Sequence, residues 1–158
     1  VDILATLAAI LDRPLKQGEG LDSLDQLINF TGNNDTEVRK TLVIAPNSPK
    51  HLSMRQGKWV YIPQQGSGGF QGKKPGDHLF AGAAALHFAG RPNSDIKDGT
   101  YRSDAPPAQL YDLAQDPFQT TNVFYQHPLI VEELAGLLQK YKSEIPSGNP
   151  TGWINLEQ

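Results

Sequence analysis

Few side chains in this sequence are of a type that carries chemistry, and their spacing narrows what they can do. The four histidines, His51, His78, His87 and His127, stand far apart, so none has a second imidazole at a metal-ligating interval. His51 and His87 are therefore expected at the surface or at the edge of a core, and His127, directly before Pro128, at the start of a helix. Asp95, Asp98 and Asp104 offer the oxygen ligands a hard cation prefers, but not at the intervals of an EF-hand loop. They read as solvated loop acids, and no metal site is assigned. The absence of Cys excludes a disulfide, a thiolate metal site and a cysteine nucleophile together. An enzyme built on His51 or His78 would still need a nucleophile and a group to orient the base, and the sequence shows neither.

Of the 158 residues, 14 are Lys or Arg and 17 are Asp or Glu, for a formal charge of −3. The cations are scattered singly, without the basic stripe that binds a phosphate backbone, which argues against a nucleic-acid partner. No apolar run approaches the roughly 20 residues of a membrane span. The 15 Gly and 12 Pro, with a mean hydropathy of −0.44, leave much of the length to turns and imply a small core.

The elements that would position these residues follow from periodicity. Ile3, Leu4, Leu7, Ala8, Ile10 and Leu11 recur at helical steps until Arg13-Pro14, which predicts a helix over Asp2 to Leu11 with one buried face. It opens with no capping segment before it, as expected of a cut inside a larger protein. Ser23 to Ile28 predicts a second helical turn, and the polar cluster Thr31 to Thr36 a loop. Leu42 to Ile44, Leu52 to Arg55 and Trp59 to Ile62 predict three antiparallel strands, the last two joined by a turn at Gln56-Gly57. From Gln64 to Ala105 the sequence is irregular and rich in Gly and Pro, with an apolar patch only at Leu79 to Phe88. A stretch of that length is expected to be either functional or partly disordered. Gln109 to Leu113 predicts a fourth strand, ended by Asp116-Pro117. Pro128 to Tyr141 predicts a helix lying across the sheet, with Val131, Leu134, Leu137, Leu138 and Tyr141 on one face. Trp59, Tyr61 and Tyr111 are expected as core aromatics of the sheet.

Several of these segments carry a resemblance. The strand Gln109-Leu110-Tyr111-Asp112-Leu113, the turn Asp116-Pro117, the segment Thr120-Thr121-Asn122-Val123 and the helix start His127-Pro128 follow one another like the L-Y-D-L, D-P, T-x-N-L and H-P succession that ends bacterial arylsulfatases, in the alkaline-phosphatase-like superfamily. Upstream, Met54 to Ile62 resembles the family's R-x-G-x-W-K hairpin, and Gly66 to Phe70 a loop of one subgroup. Asp2 to Leu11 is similar to the D-L-x-x-T-L-x-x-L helix that follows the catalytic region. The match is weakest from Gly72 to Ala108.

The resemblance implies an α+β fold: a small four-stranded antiparallel sheet packed against a C-terminal helix, with an N-terminal helical remnant of the catalytic α/β domain. Residues 1–36 would trail the catalytic domain, 37–145 would form the C-terminal subdomain and 146–158 a tail. It also implies a periplasmic or secreted parent enzyme that hydrolyses sulfate esters with calcium and a formylglycine made from a C/S-x-P-x-R motif. No Ser here is followed by x-P-x-R, and Ser48-Pro49-Lys50-His51 has the wrong spacing. The family's metal-binding acids and its catalytic Lys and His lie upstream of the matched segments, so no catalytic residue and no cofactor is assigned to this chain.

What the resemblance leaves to it is completing the fold and, through the loop after the third strand, lining the substrate pocket. Gln65, Ser67, Phe70, Lys73 and His78 are the candidate lining residues, Lys73 being suited to an anionic sugar. The implied partners are the upstream catalytic domain and a sulfated small molecule or glycan. The rival is a stand-alone module that binds a sulfated or anionic glycan through Lys73, Lys74 and exposed aromatics. Such a module should show no large apolar patch, whereas a domain parted from a catalytic partner should expose the helix Asp2 to Leu11 as one.

Overall fold

A computed structural model describes residues 2–32, 37–45, 51–65, 93–98 and 100–144. The apolar patch Leu79 to Phe88, the loop Gly66 to Phe70, most of the polar cluster after Thr31 and the tail lie outside the described residues. By internal packing the chain divides into two units, Val1–Leu42 and Val43–Gln158.

The first unit holds two helices, α1 (Ile3–Ile10) and α2 (Leu27–Thr31), and its cohesion is largely polar. The Asp2 carboxylate accepts hydrogen bonds from Leu24 N, Gln26 Nε2 and Arg39 Nε, each at 3.0 Å, and Arg39 reaches Asp22 at 3.1 Å as well. The guanidinium holds the Asp2 carboxyl well below the usual carboxylate range. Thr6, the buried residue of α1, donates its hydroxyl to Asp2 O at 2.7 Å and accepts Gln26 N at 2.9 Å. Ser23 Oγ accepts Ala5 N, so the loop is stitched along the helix.

Here the helical period does not become burial. Ile3, Leu4, Leu7, Ile10 and Leu11 are between 49% and 70% exposed, because an amphipathic stripe only specifies a face to be covered and nothing among the described residues covers it. The second helix also starts later than its apolar spacing suggests. Asp25 Oδ1 accepts Leu27 N at 2.8 Å, a local side-chain bond of the kind that sets helix starts, while Ser23 is already engaged with α1.

The second unit is built on a sheet of β1 (Thr41–Ile44), β2 (Ser53–Gln56), β3 (Trp59–Ile62) and β6 (Gln109–Asp112), in the order β1-β2-β3-β6. The boundary between the units falls inside β1. Antiparallel registers pair Gln56 with Trp59 and Ile62 with Gln109. Gly57 opens the two-residue turn of the β2-β3 hairpin at φ 53°, a conformation that carries no steric cost for glycine. Met54, Tyr61 and Leu110 form one cross-strand row. Against that row packs α3 (Pro128–Glu144) through Leu134 and Leu138, both at most 2% exposed. The α+β reading, the four strands and the closing helix are therefore present, with strand limits displaced by a residue.

Between Gln64 and Ala105, where the sequence is poor in regular periodicity, the described residues include a pair of short strands. Ile96–Lys97 (β4) and Thr100–Tyr101 (β5) form a short antiparallel hairpin, with Asp98 at φ 52°. The Asp98-Gly99 dipeptide is a hairpin signal in its own right, but strands of two residues leave no alternation to detect.

The outer edge of β6 is not left open. Asn122 Oδ1 accepts Leu110 N at 3.0 Å, and Val123 N donates to Leu110 O at 2.9 Å, so the segment after the Asp116-Pro117 turn stands where a further strand would. Asn122 Nδ2 donates to Asp95 Oδ2 and Ala108 O, and Oδ1 also accepts Phe124 N. All four hydrogen-bonding positions of the amide are used.

Asn122→Ala is expected to destabilise the fold by about 2–4 kcal/mol, since it orphans partly buried donors and acceptors; urea unfolding measures this. Asn122→Asp places a carboxylate against Asp95. Like charges this close repel and Ala108 O loses its donor, so at neutral pH the defect should be at least as large as that of the alanine variant. For Asp2 the folded pKa is depressed. Its ion-pair contribution is complete above the unfolded value of about 3.9 and is lost as pH falls below it. In an NMR titration the Leu24 amide should therefore shift below the ordinary carboxylate range in the natural protein, and closer to that range in Arg39→Ala.

Candidate functional site

Pro63 follows β3 and has no amide hydrogen to continue the ladder. The chain leaves the sheet through Gln64 and Gln65, and the described structure resumes at Asn93. Of the expected lining residues, Gln65 is described, while Ser67, Phe70, Lys73 and His78 lie outside the described residues, as do Lys74 and His87.

Gln65 is fixed from two sides. Its Nε2 donates to Pro106 O at 2.8 Å and Ala105 O at 3.3 Å, and its carbonyl lies 2.8 Å from His51 Nε2. A carbonyl only accepts, so Nε2 carries the ring proton. His51 Nδ1 is then a buried acceptor without a partner among the described residues. No carboxylate orients this ring and no hydroxyl awaits its action there, so His51 anchors Gln65 and has no part of a catalytic constellation among the described residues.

Behind Gln65 lies a buried polar row. Gln109 Nε2 donates to Gln64 O at 2.6 Å, and Tyr111 donates its hydroxyl to Gln109 Oε1 at 2.7 Å. Asn93 Nδ2 donates to the Tyr111 oxygen at 3.1 Å and to Gln119 O at 3.2 Å. Gln109 and Tyr111 are 6% and 1% exposed. Burial pushes the Tyr111 hydroxyl above the ordinary phenol range, so it remains a donor at physiological pH. Sequence reasoning placed Tyr111 in the core and passed over Gln109. The available signal was their spacing of two, which puts both on one face of a strand.

The acids of the 95–104 region are engaged locally. Asp95 is buried and meets Ser94 Oγ and Asn122 Nδ2, and Asp104 forms a two-point pair with Arg102. Among the described residues no three His, Asp or Glu side chains gather into a metal-ligating group. The aromatic residues are likewise committed. Trp59 carries the Lys58 ammonium 4.7 Å from its ring centroid and the His127 ring at 4.9 Å. Lys58 also bonds Asp112 Oδ2 at 2.7 Å, which ties the hairpin turn to the end of β6 and lowers the Asp112 carboxyl. On the first unit, an open hollow of about 400 Å³ is lined by Ala5, Ala8, Ala9, Asp12, Arg13, Pro14 and Leu15, mostly small and apolar side chains with one acid and one base among them.

No family model matches the chain. An N-acetylgalactosamine-6-O-sulfatase of Bacteroides thetaiotaomicron is 32% identical over 143 residues, which are 90% of this chain and 23% of that protein. A solved structure, described in connection with the metabolism of multiple glycosaminoglycans by Bacteroides thetaiotaomicron, superposes with a TM-score of 0.56 at 29% identity. It covers 90% of this chain and 24% of its own. The chain thus spans about a quarter of the length of these relatives.

Proposed function

We propose that this chain, which is similar to about a quarter of the length of a sulfatase, works as the closing subdomain of a longer sulfuric ester hydrolase. The catalytic residues lie in the rest of that enzyme, and this part completes the fold and borders the substrate pocket where Gln65 leaves the sheet. The observation that carries this reading is the coverage: 90% of the chain aligns with 23% of a sulfatase. The exposed apolar stripe of α1 supports it, since surface of that kind is covered by a neighbouring domain, here the upstream catalytic part.

The formylglycine nucleophile and the calcium ion that the family implies do not fit the residues of this chain. It has no Cys and no Ser followed by x-P-x-R, and the described residues hold no metal-ligating cluster. Both belong to the remainder of the enzyme. The relative's name points to 6-sulfated N-acetylgalactosamine as the substrate class, cleaved by water to inorganic sulfate and the free sugar hydroxyl. Lys73 supplies a cation for such an anionic sugar.

Sulfate release from a 6-sulfated N-acetylgalactosamine and from a chromogenic sulfate ester should be measured with calcium, on the 158-residue chain and on the full parent protein. Turnover is expected only from the parent, and turnover by the chain alone would sink the reading. Glycan binding by the chain alone, with an inactive parent, would favour a stand-alone binding module. In the parent, Leu4→Asp with Leu7→Asp should lower the melting temperature by several degrees as a buried stripe becomes charged, while the same pair in the isolated chain should change it little.

A further inference from the structure

We propose that Gln65 is a specificity-determining residue, its side-chain Oε1 accepting a hydrogen bond from an uncharged donor of the sugar, a ring hydroxyl or the acetamido N–H. The inference rests on the reading that the chain borders a sulfatase substrate pocket at Gln65. The orientation of the amide follows from its neighbours. Pro106 O at 2.8 Å and Ala105 O at 3.3 Å only accept, so the atom that faces them is the nitrogen. The oxygen is thereby turned away from them and has no partner among the described residues. His51 Nδ1 is the one buried side-chain polar atom there that lacks a bond, so Gln65 Oε1 stands open to solvent.

The backbone beneath this side chain is held as well. The Gln65 carbonyl lies 2.8 Å from His51 Nε2, and Gln64 O accepts Gln109 Nε2 at 2.6 Å. With its backbone and the far end of its side chain both fixed, the acceptor is preorganised, and little conformational freedom is lost when a ligand meets it. Pro106 is buried, so its carbonyl needs a donor. A lysine could serve that carbonyl and would leave a cation, whereas glutamine serves it and leaves a neutral acceptor. An amide oxygen is the negative end of its dipole, so it repels a sulfate group and suits an O–H or N–H. A 6-sulfated N-acetylgalactosamine carries both kinds of donor on the ring away from its sulfate.

The test is made in the full parent enzyme with two variants. Gln65→Lys keeps a donor for Pro106 O and removes the acceptor, and Gln65→Met removes both without adding charge. The quantity read is KM for 6-sulfated N-acetylgalactosamine relative to KM for a chromogenic aryl sulfate, which has no sugar donor to lose, so a change in folding or charge that moves both cancels. That ratio should rise about 3- to 10-fold in each variant, the scale of one hydrogen bond, with kcat within twofold. A ratio that stays put, whatever happens to kcat or to the melting temperature, overturns the proposal and leaves Gln65 a structural donor. A 6-sulfated galactose, with a hydroxyl in place of the acetamido group, separates the two donors. If the rise disappears with it the N–H is the partner, and if the rise persists a hydroxyl is. A parent that releases no sulfate from any of these refutes the sulfatase reading separately. Calorimetric binding of N-acetylgalactosamine to that parent and to its Gln65→Met variant then decides the role of Gln65: weaker binding by the variant supports it, and equal binding or none overturns it.

Discussion

The second unit depends on the side-chain amide of Asn122. It has four positions for hydrogen bonds and all are filled, by Leu110 N, Ala108 O, Asp95 Oδ2 and Phe124 N. These partners belong to the last strand of the sheet, its approach, the small hairpin region and the entry to the closing helix. No apolar side chain could join them, because each partner presents a backbone or carboxylate atom that requires a bond when removed from water. The amide also lets β6 serve as an edge strand without an exposed ladder.

Around that point the two units hold together by different means. In the second, the Asn122 bonds are joined by the row Met54, Tyr61 and Leu110 against Leu134 and Leu138, which is area removed from water and itself indifferent to pH. In the first, cohesion comes from Asp2, Arg39, Asp22, Thr6, Ser23 and Gln26, which is directional and charge-dependent. Its apolar side chains Ile3, Leu4, Leu7, Ile10 and Leu11 are exposed instead, with nothing among the described residues covering them.

The sequence was legible where local period determines structure. Alternation marked β2, β3 and β6, glycine marked the hairpin turn, and the His127-Pro128 pair marked the start of α3. The L-Y-D-L strand with its D-P turn carried the resemblance to sulfatases as well. Period failed where the answer lay in distant partners. The stripe of α1 is visible in the sequence, but what covers it is not. The hairpin at Ile96–Tyr101 is too short to alternate. The bonds joining Gln64, Asn93, Gln109 and Tyr111 connect positions that no local rule relates, and Gln109 by itself looks like any polar strand residue. Of the expected pocket residues, Gln65 has a visible anchorage, which its composition gave no reason to expect.

The pinned ends at Gln65 and Asn93 also bear on the length of chain that can join them. The entropy of closing a loop grows only with the logarithm of its length, about 0.6 kcal/mol for each doubling, and the bonds that close this one belong to side chains of the sheet. The hydrogen bonds and core contacts given above for the sheet are made by residues outside that interval. Closing the chain between those two points therefore costs little more for a long connection than for a short one, and the sheet side chains that close it are the part that length leaves unchanged.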